Sequence, residues 1–174
     1  MNKPAITLVS LLAASPALAM ELSSANVVPG APLATAQVKS GCGGENRSPA
    51  LAWSGAPQAT QSFAITVFDP DAHGGWWHWI ALDIPASVHG LAEGAGSGEG
   101  MPRGAVQLSN DFNDPQYDGP CPPEGSGAHH YEITLWALPD AQAPLAANAS
   151  TARVENYLES HALAHAQLVG TFER

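Results

Sequence analysis

The first residues of this sequence that could do chemistry are two aspartates beside a strand-like segment. In SFAITVFD, residues 62–69, side chains alternate between two faces, and Asp69 falls at the end of the apolar row. Pro70 cannot donate a sheet hydrogen bond, so the strand is predicted to stop at Asp69. The chain should then turn through Asp71 to Gly75, which leaves two carboxylates at the end of a strand.

Histidines occupy two further strand-like segments. In WWHWIALD, alternation places His78 on one face with Ile80 and Leu82. In HHYEITLWAL, His129 and Tyr131 are in phase with the apolar residues that follow them. A carboxylate, two imidazoles and a phenol at strand ends indicate a pocket at the rim of a sheet.

Four interpretations fit these residue types. His78, His129 and one aspartate could ligate zinc or iron, although their spacing matches no metal motif. Hydrolysis would need a nucleophile, and no G-x-S-x-G motif or Cys-His pair is present. A binding pocket could use the imidazole N–H groups for an oxyanion and the aspartates for a cation, so a zwitterion with phosphate and amine satisfies both. The polar groups could also only pair with one another at the edge of a core.

A long aperiodic segment precedes His129. Residues 109–127, SNDFNDPQYDGPCPPEGSG, contain four prolines and a cysteine. Loops of this length in compact domains are functional or disordered. The prolines favour a stiff functional loop that forms a wall of the pocket, with Tyr117 as a lining residue.

Charge and the N-terminal segment limit the possible partners and location. The chain of 174 residues carries a net charge of −10, which disfavours nucleic acid and anionic membrane partners. Residues 1–19, with one lysine, a short apolar run and the cleavage sequence Ala17-Leu18-Ala19, are predicted to be a signal peptide. We expect an exported protein, periplasmic or secreted, without a transmembrane segment, in which residues 20–174 form one domain.

The two cysteines, Cys42 and Cys121, are predicted to form a disulfide. Exported cysteine pairs are usually oxidised, and two residues allow one intramolecular pairing. Neither cysteine lies in a C-x-x-C motif, so a zinc ribbon or a thioredoxin-like site is not indicated.

The remaining segments predict further elements. Strands are expected at residues 33–39, 50–53, 104–108 and 168–172, and the glycine-rich residues 94–100 are expected to be a flexible surface loop. Residues 150–166 predict a helix with Ser150 as its N-cap. His161 and His165 are four residues apart on that helix, but without an H-E-x-x-H motif they are interpreted as surface histidines.

Four motifs, in order, resemble the phosphatidylethanolamine-binding protein (PEBP) family. They are DPDA from Asp69, the pair His78-Trp79, GPCPPEG from Gly119, and HHY from His129. Ser48-Pro49 with Trp53, and the ending Leu168, Gly170, Phe172 and Arg174, are similar to its bacterial and archaeal Raf-kinase-inhibitor-like branch, the YbhB/YbcL type.

The resemblance implies a mostly β fold with peripheral α structure. It comprises a large antiparallel sheet, a smaller sheet and a C-terminal helix. It also implies a pocket for phosphate-like anions and phospholipid head groups, with Gly119, Pro120, Cys121 and Pro122 at its rim. The pocket residues carried over are Asp69, Asp71, His78, His129 and Tyr131.

Two positions depart from the family pattern. His73 stands where a proline is usual, and His130 replaces the arginine of H-R-Y. A histidine at position 130 lacks the fixed positive charge of that arginine. It predicts that anion binding strengthens as pH falls through about 6.5, the usual pKa of an imidazole.

We therefore predict a non-enzymatic binding protein without cofactors or a bound metal. Its expected ligand is a small phosphate-like anion or a phospholipid head group. The resemblance also implies a possible role as an inhibitor or signalling modulator of a protein target, a kinase or a protease. The alternative function is a metal-dependent hydrolase that uses the Asp/His cluster.

Overall fold

The part of the protein that the structure describes consists of two antiparallel sheets and one α-helix. The computed structural model describes residues 19–98 and 100–174. The strands are β1 (Glu21–Ser23), β2 (Leu51–Ser54), β3 (Ser62–Asp69), β4 (Trp76–Pro85), β5 (Gly90–Leu91), β6 (Val106–Gln107), β7 (His129–Leu138) and β8 (Ala164–Phe172), and the helix is α1 (Thr151–His161). The smaller sheet has the order β1-β2-β5, and the larger has the order β6-β4-β3-β7-β8.

Strand β3 is the central strand of the larger sheet, where it pairs with β4 and β7, and its side chains are buried on both faces. Its odd-numbered apolar residues, together with those of β7, belong to a core cluster shared with the smaller sheet. Its other face, including Ala64, contacts a second cluster that contains Val154 and Leu158 of α1. β3 ends at Asp69, as predicted, and the chain turns before β4 begins at Trp76.

The alternation predicted for β4 is wrong at His78, because the strand contains a bulge there. Val67 pairs with Trp79 and Phe68 pairs with Trp77, which leaves His78 as an extra residue. Ile80 packs in the cluster under α1, whereas the ring of His78 contacts Tyr131 on the opposite face of the sheet. The bulge therefore turns His78 to the same side as the other site residues.

The prediction of a strand at residues 33–39 is also wrong. The first strand is β1, and residues Thr35–Gln37 form a 3-10 helix. The backbone of this region bonds to two different partners: Leu33 N–H donates to Thr171, and Lys39 N–H donates to Pro120. An alternating sequence pattern alone does not distinguish a strand from an irregular segment whose two ends form backbone hydrogen bonds with separate elements.

The prediction of a flexible surface loop at residues 94–100 is wrong for the middle of that segment, and Glu99 lies outside the described residues. Ala95–Ser97 form a 3-10 helix in which Ala95 and Gly96 are buried. Gly96 lies against the ring of Trp79, where a side chain would not fit. The Ser48 hydroxyl accepts a hydrogen bond of 2.8 Å from the N–H of Gly96. The glycines thus allow close packing on the core.

The C-terminal helix is shorter than predicted. Ser150 is its N-cap and accepts from Arg153 N–H at 3.4 Å, but α1 ends at His161. β8 begins at Ala164, so His165 lies on a strand beside Trp136 and not on the helix. The predicted pair of histidines four apart on one helix does not exist.

Cys42 and Cys121 are joined by the predicted disulfide, with their Cα atoms 5.7 Å apart. The strands predicted at residues 50–53 and 104–108 are present as β2 and the shorter β6, and the strand predicted at residues 168–172 is the second half of β8. The predicted signal peptide falls on residues 1–18, outside the described residues, and on Ala19. No helix of the described part of the chain is long and apolar enough to cross a membrane.

Candidate ligand-binding site

A cavity of about 430 Å³ opens where β3 ends and β4 and β7 begin. Seven of the predicted site residues line it, namely Asp69, Asp71, His78, Cys121, Pro122, His129 and Tyr131. Its other walls are Ala72, His73, Trp76, Phe112, Pro123 and Ser126, which were not among the predicted site residues. The ends of these three strands therefore lie around one cavity.

Asp69 and His129 form a buried pair at one side of the cavity. Asp69 Oδ2 lies 2.7 Å from His129 Nδ1. Asp69 Oδ1 accepts from the N–H groups of Asp71 and Ala72, at 2.9 Å and 3.2 Å. The carboxylate therefore both holds the turn that follows β3 and fixes the orientation of the imidazole.

The second nitrogen of His129 faces the loop that precedes it. Ser126 Oγ lies 3.1 Å from His129 Nε2 and also donates to the carbonyl oxygen of Pro123 at 2.8 Å. Ser126 is exposed, whereas His129 is 7% exposed. The Ser126 hydroxyl therefore lies at the mouth of the cavity beside one nitrogen of His129, and Asp69 holds the other nitrogen of the same ring.

His78 is held in one tautomer by the backbone. Its Nδ1 donates to the carbonyl oxygen of Asp118 at 2.8 Å, so Nε2 of the neutral ring is an acceptor. Burial lowers the pKa of His78 from its usual value, because an imidazolium would lose its hydration. Its ring is also confined edge-to-face between Phe112 and Tyr131, with centroids 5.4 Å and 5.2 Å away.

Two buried donors that line the cavity have no hydrogen-bond partner among the described residues. They are the hydroxyl of Tyr131 and the indole N–H of Trp76. Burial raises the pKa of Tyr131, and so do the negative charges of Asp69 and Asp71, so its hydroxyl keeps its proton. The Asp69 carboxylate lies near this hydroxyl and adds to the rise in pKa, but the two groups do not meet in hydrogen-bond geometry. A buried polar group without a partner costs about 1–3 kcal/mol, so these donors indicate where an acceptor on a ligand or water would bind.

Asp71 and His130 form a second, exposed pair at the rim. Asp71 Oδ2 accepts from the backbone N–H of His130 at 2.7 Å and lies 2.8 Å from Nδ1 of the same ring. The bonds to this ring and to its backbone N–H lower the pKa of Asp71. His130 is thus tied to a rim aspartate and is not among the residues that line the cavity.

A network behind the cavity holds His78 and the long loop together. Asp118 forms an ion pair with Lys39 and accepts from Asn110 Nδ2 at 3.0 Å. The same Asn110 amide donates to the carbonyl oxygen of His78 at 3.0 Å. The Lys39 ammonium lies 3.9 Å from the centre of the Phe112 ring. These contacts join segments far apart in sequence, and no local motif indicated them.

Three predicted site residues lie outside the cavity lining. Tyr117 is buried in the core, and its hydroxyl donates to the carbonyl oxygen of Gln37 at 2.9 Å. Gly119 packs on the backbone of Gln37, and Pro120 accepts from Lys39 N–H at 3.1 Å. They anchor the loop whose next residues, Cys121 and Pro122, do reach the cavity.

The residues around the cavity do not form a metal site. Within residues 19–98 and 100–174, no group of three His, Cys, Asp or Glu side chains is arranged to hold a metal ion. His78 Nδ1 and His129 Nδ1 are both engaged by oxygen partners, and Cys121 is in the disulfide.

Comparison with known proteins identifies the class to which this architecture and site belong. A family model described as phosphatidylethanolamine-binding protein matches residues 23–173. The chain therefore belongs to the phosphatidylethanolamine-binding protein family, as its motifs predict. Proteins of this family are generally binding proteins.

Individual relatives place the chain in the YbhB/YbcL branch. It is 43% identical over 163 residues to Escherichia coli (strain K12) YbcL, covering 90% of this chain and 89% of that protein. It is 39% identical over 158 residues to YbhB of the same organism, covering 88% and 99%. The crystal structure of E. coli YbcL, described as a new member of the mammalian PEBP family, matches with a TM-score of 0.86 at 42% identity, covering 90% and 99%.

A mycobacterial relative has a name that suggests a lipid anchor. The putative lipoprotein LppC of Mycobacterium tuberculosis is 39% identical over 167 residues, covering 92% of this chain and 77% of that protein.

Proposed function

We propose that this protein is exported and that its cavity binds a small molecule or lipid head group that carries both a phosphoryl group and an amine. The buried hydroxyl of Tyr131, without a partner and facing a cavity, is the observation that carries this proposal. A phosphoryl oxygen is the acceptor that such a donor lacks.

The charges around the cavity favour a zwitterion over a bare anion. Asp69 and Asp71 both line it, and the pKa of Asp71 is lowered, so that rim carboxylate stays ionised. A phosphate alone would be repelled by both carboxylates, whereas an attached ammonium would pair with Asp71, which is accessible to solvent. The family description, phosphatidylethanolamine-binding, is consistent with this chemistry.

Export is supported by two observations. A disulfide joins Cys42 and Cys121, and disulfides persist in oxidising compartments. A relative at 39% identity carries the name of a putative lipoprotein. A metal-dependent hydrolase is less favoured, because the described residues offer no three-ligand cluster.

Isothermal titration calorimetry with O-phosphoethanolamine, inorganic phosphate and ethanolamine tests the proposal. O-phosphoethanolamine should bind most tightly, since only it engages both the donors and Asp71. Tyr131→Phe, which removes one hydroxyl and keeps the ring, should weaken binding by at least about 10-fold, the effect of one hydrogen bond to a charged group.

The matched control is Tyr157→Phe. Tyr157 is also buried, but its hydroxyl donates to Asp140 at 2.9 Å, away from the cavity. This variant should bind O-phosphoethanolamine like the wild type. Equal affinity of the Tyr131→Phe variant and the wild type, or tighter binding of phosphate than of O-phosphoethanolamine, would contradict the proposal.

A further inference from the structure

Three residues that line the cavity form a series of contacts like that of serine hydrolases. Ser126 Oγ lies 3.1 Å from His129 Nε2, and His129 Nδ1 lies 2.7 Å from Asp69 Oδ2. In such a series the carboxylate orients the imidazole, and the imidazole removes the proton of the hydroxyl. All three side chains line the same cavity of about 430 Å³.

We propose that Ser126 is a nucleophile, and that the cavity cleaves small carboxylic esters through an acyl-serine intermediate. This activity goes beyond ligand binding and involves no metal ligand. The separation of 3.1 Å is within the range that nucleophile and base show in serine hydrolases. Because Ser126 is exposed, an ester can reach its hydroxyl from solvent, with the acyl part directed into the cavity.

The hydroxyl proton of Ser126 has two acceptors within reach. One is the carbonyl oxygen of Pro123 at 2.8 Å, and the other is Nε2 of neutral His129. Rotation about the Cβ–Oγ bond moves the proton from the first acceptor to the second without any backbone change. Neutral His129 carries its proton on Nδ1, facing Asp69, which leaves the Nε2 lone pair free to act as the base.

The two donors without partners complete the chemistry. As Ser126 Oγ bonds to the ester carbonyl carbon, His129 Nε2 takes the hydroxyl proton and the carbonyl oxygen becomes negative. The Tyr131 hydroxyl and the Trp76 indole N–H line the cavity with no acceptor among the described residues, and they can donate to that oxygen.

The intermediate collapses by breaking the bond between the carbonyl carbon and the leaving oxygen, which takes the proton from His129. Water then gives a proton to His129 and attacks the acyl carbon. The bond to Ser126 Oγ breaks, the proton returns to that oxygen, and a carboxylic acid leaves.

The chain contains a matched control for this arrangement. Ser160 is exposed and its Oγ lies 2.8 Å from His161 Nδ1. The other contact of that nitrogen is the carbonyl oxygen of Tyr157 at 3.1 Å, and no carboxylate is bonded to the ring. Ser160 therefore tests whether proximity of a serine to a histidine is sufficient for reactivity.

The experiment combines active-site labelling with ester hydrolysis on the whole protein. A fluorophosphonate should add once, on Ser126 and not on Ser160, as read by mass spectrometry of the intact protein and its peptides. Hydrolysis of p-nitrophenyl acetate should fall at least about 100-fold in Ser126→Ala and be unchanged in Ser160→Ala. His129→Gln should prevent labelling of Ser126.

Absence of the adduct on Ser126, or equal hydrolysis by Ser126→Ala and the wild type, would overturn this inference. The outcome is separable from that of the proposed binding function. Loss of labelling with intact binding of O-phosphoethanolamine refutes only the nucleophile, and labelling without binding refutes only the head-group proposal.

Discussion

Replacement of His78 by asparagine tests whether ligand binding draws a proton into the cavity. His78 is 3% exposed and its burial holds its pKa below the usual 6.5, so the ring is neutral at pH 8. Its Nε2 is then an acceptor and repels a phosphoryl oxygen. An anion in the cavity favours the imidazolium form, which donates, and so the anion raises the pKa of His78.

The magnitude follows from proton linkage. At pH values between the pKa of His78 in the free protein and its higher pKa in the complex, one proton binds together with each ligand molecule. In that range the affinity rises at most about tenfold for each unit by which the pH falls. The ligand should be ethanolamine O-sulfate, because the second ionisation of a phosphate monoester near pH 6 would obscure the effect. An asparagine at position 78 keeps an amide that can donate to Asp118, so the structural bond of 2.8 Å has a substitute.

Calorimetry at pH 5.5 and 8, in two buffers with different ionisation enthalpies, counts the protons. The wild type should bind more tightly at pH 5.5 than at pH 8 and should take up protons with the ligand, and His78→Asn should take up fewer. His130→Gln and His73→Asn are the controls, because the sequence alone assigned the pH dependence to His130. Proton uptake that persists in His78→Asn but disappears in His130→Gln would refute the reasoning.

The same lowered pKa has a consequence for stability. The unfolded chain binds a proton at His78 near pH 6.5, whereas the folded protein does so only at lower pH. The free energy of unfolding should therefore fall as pH decreases below about 6.5 and stop falling, as far as His78 contributes, below the folded pKa. Urea denaturation at pH 8 and 5.5 should show a smaller decrease for His78→Asn than for the wild type.

Two further predictions concern the long loop. The disulfide closes a separation of 79 residues, so Cys42→Ser with Cys121→Ser should lower the free energy of unfolding by up to about 4–5 kcal/mol, measured in urea. A loss under about 1 kcal/mol would contradict this. Gly119→Ala should cost about 2–3 kcal/mol, because the added Cβ would overlap backbone atoms of Gln37. Gly41→Ala, whose Cβ would meet nothing within 4 Å, is the matched control, and equal melting temperatures of the two variants would refute the argument.

Strong period-2 patterns determined what the sequence predicted well. The strand ending at Asp69 and the strand beginning at His129 each carry a long alternating apolar row, so one face had to be buried. The motifs of the family then supplied Asp71 and the proline-rich rim. These observations were sufficient for the mostly β fold and for seven of the residues that line the cavity.

The sequence-based predictions failed where contacts between distant segments override a local pattern. His78 is turned to the cavity by a bulge that depends on how β3 and β4 register, which alternation within one strand cannot show. Gly96 looked like part of a flexible loop, but its missing side chain accommodates the ring of Trp79. Ser126 has no recognisable motif, because its partners are brought together by tertiary structure.

A crystal structure of the protein with O-phosphoethanolamine tests the central claim most directly. We expect the ligand in the cavity, with a phosphoryl oxygen about 2.5–3.0 Å from the Tyr131 hydroxyl and the ammonium group beside Asp71. A ligand bound elsewhere on the protein, or one in the cavity whose phosphoryl oxygens leave the Tyr131 hydroxyl without a partner, would contradict it.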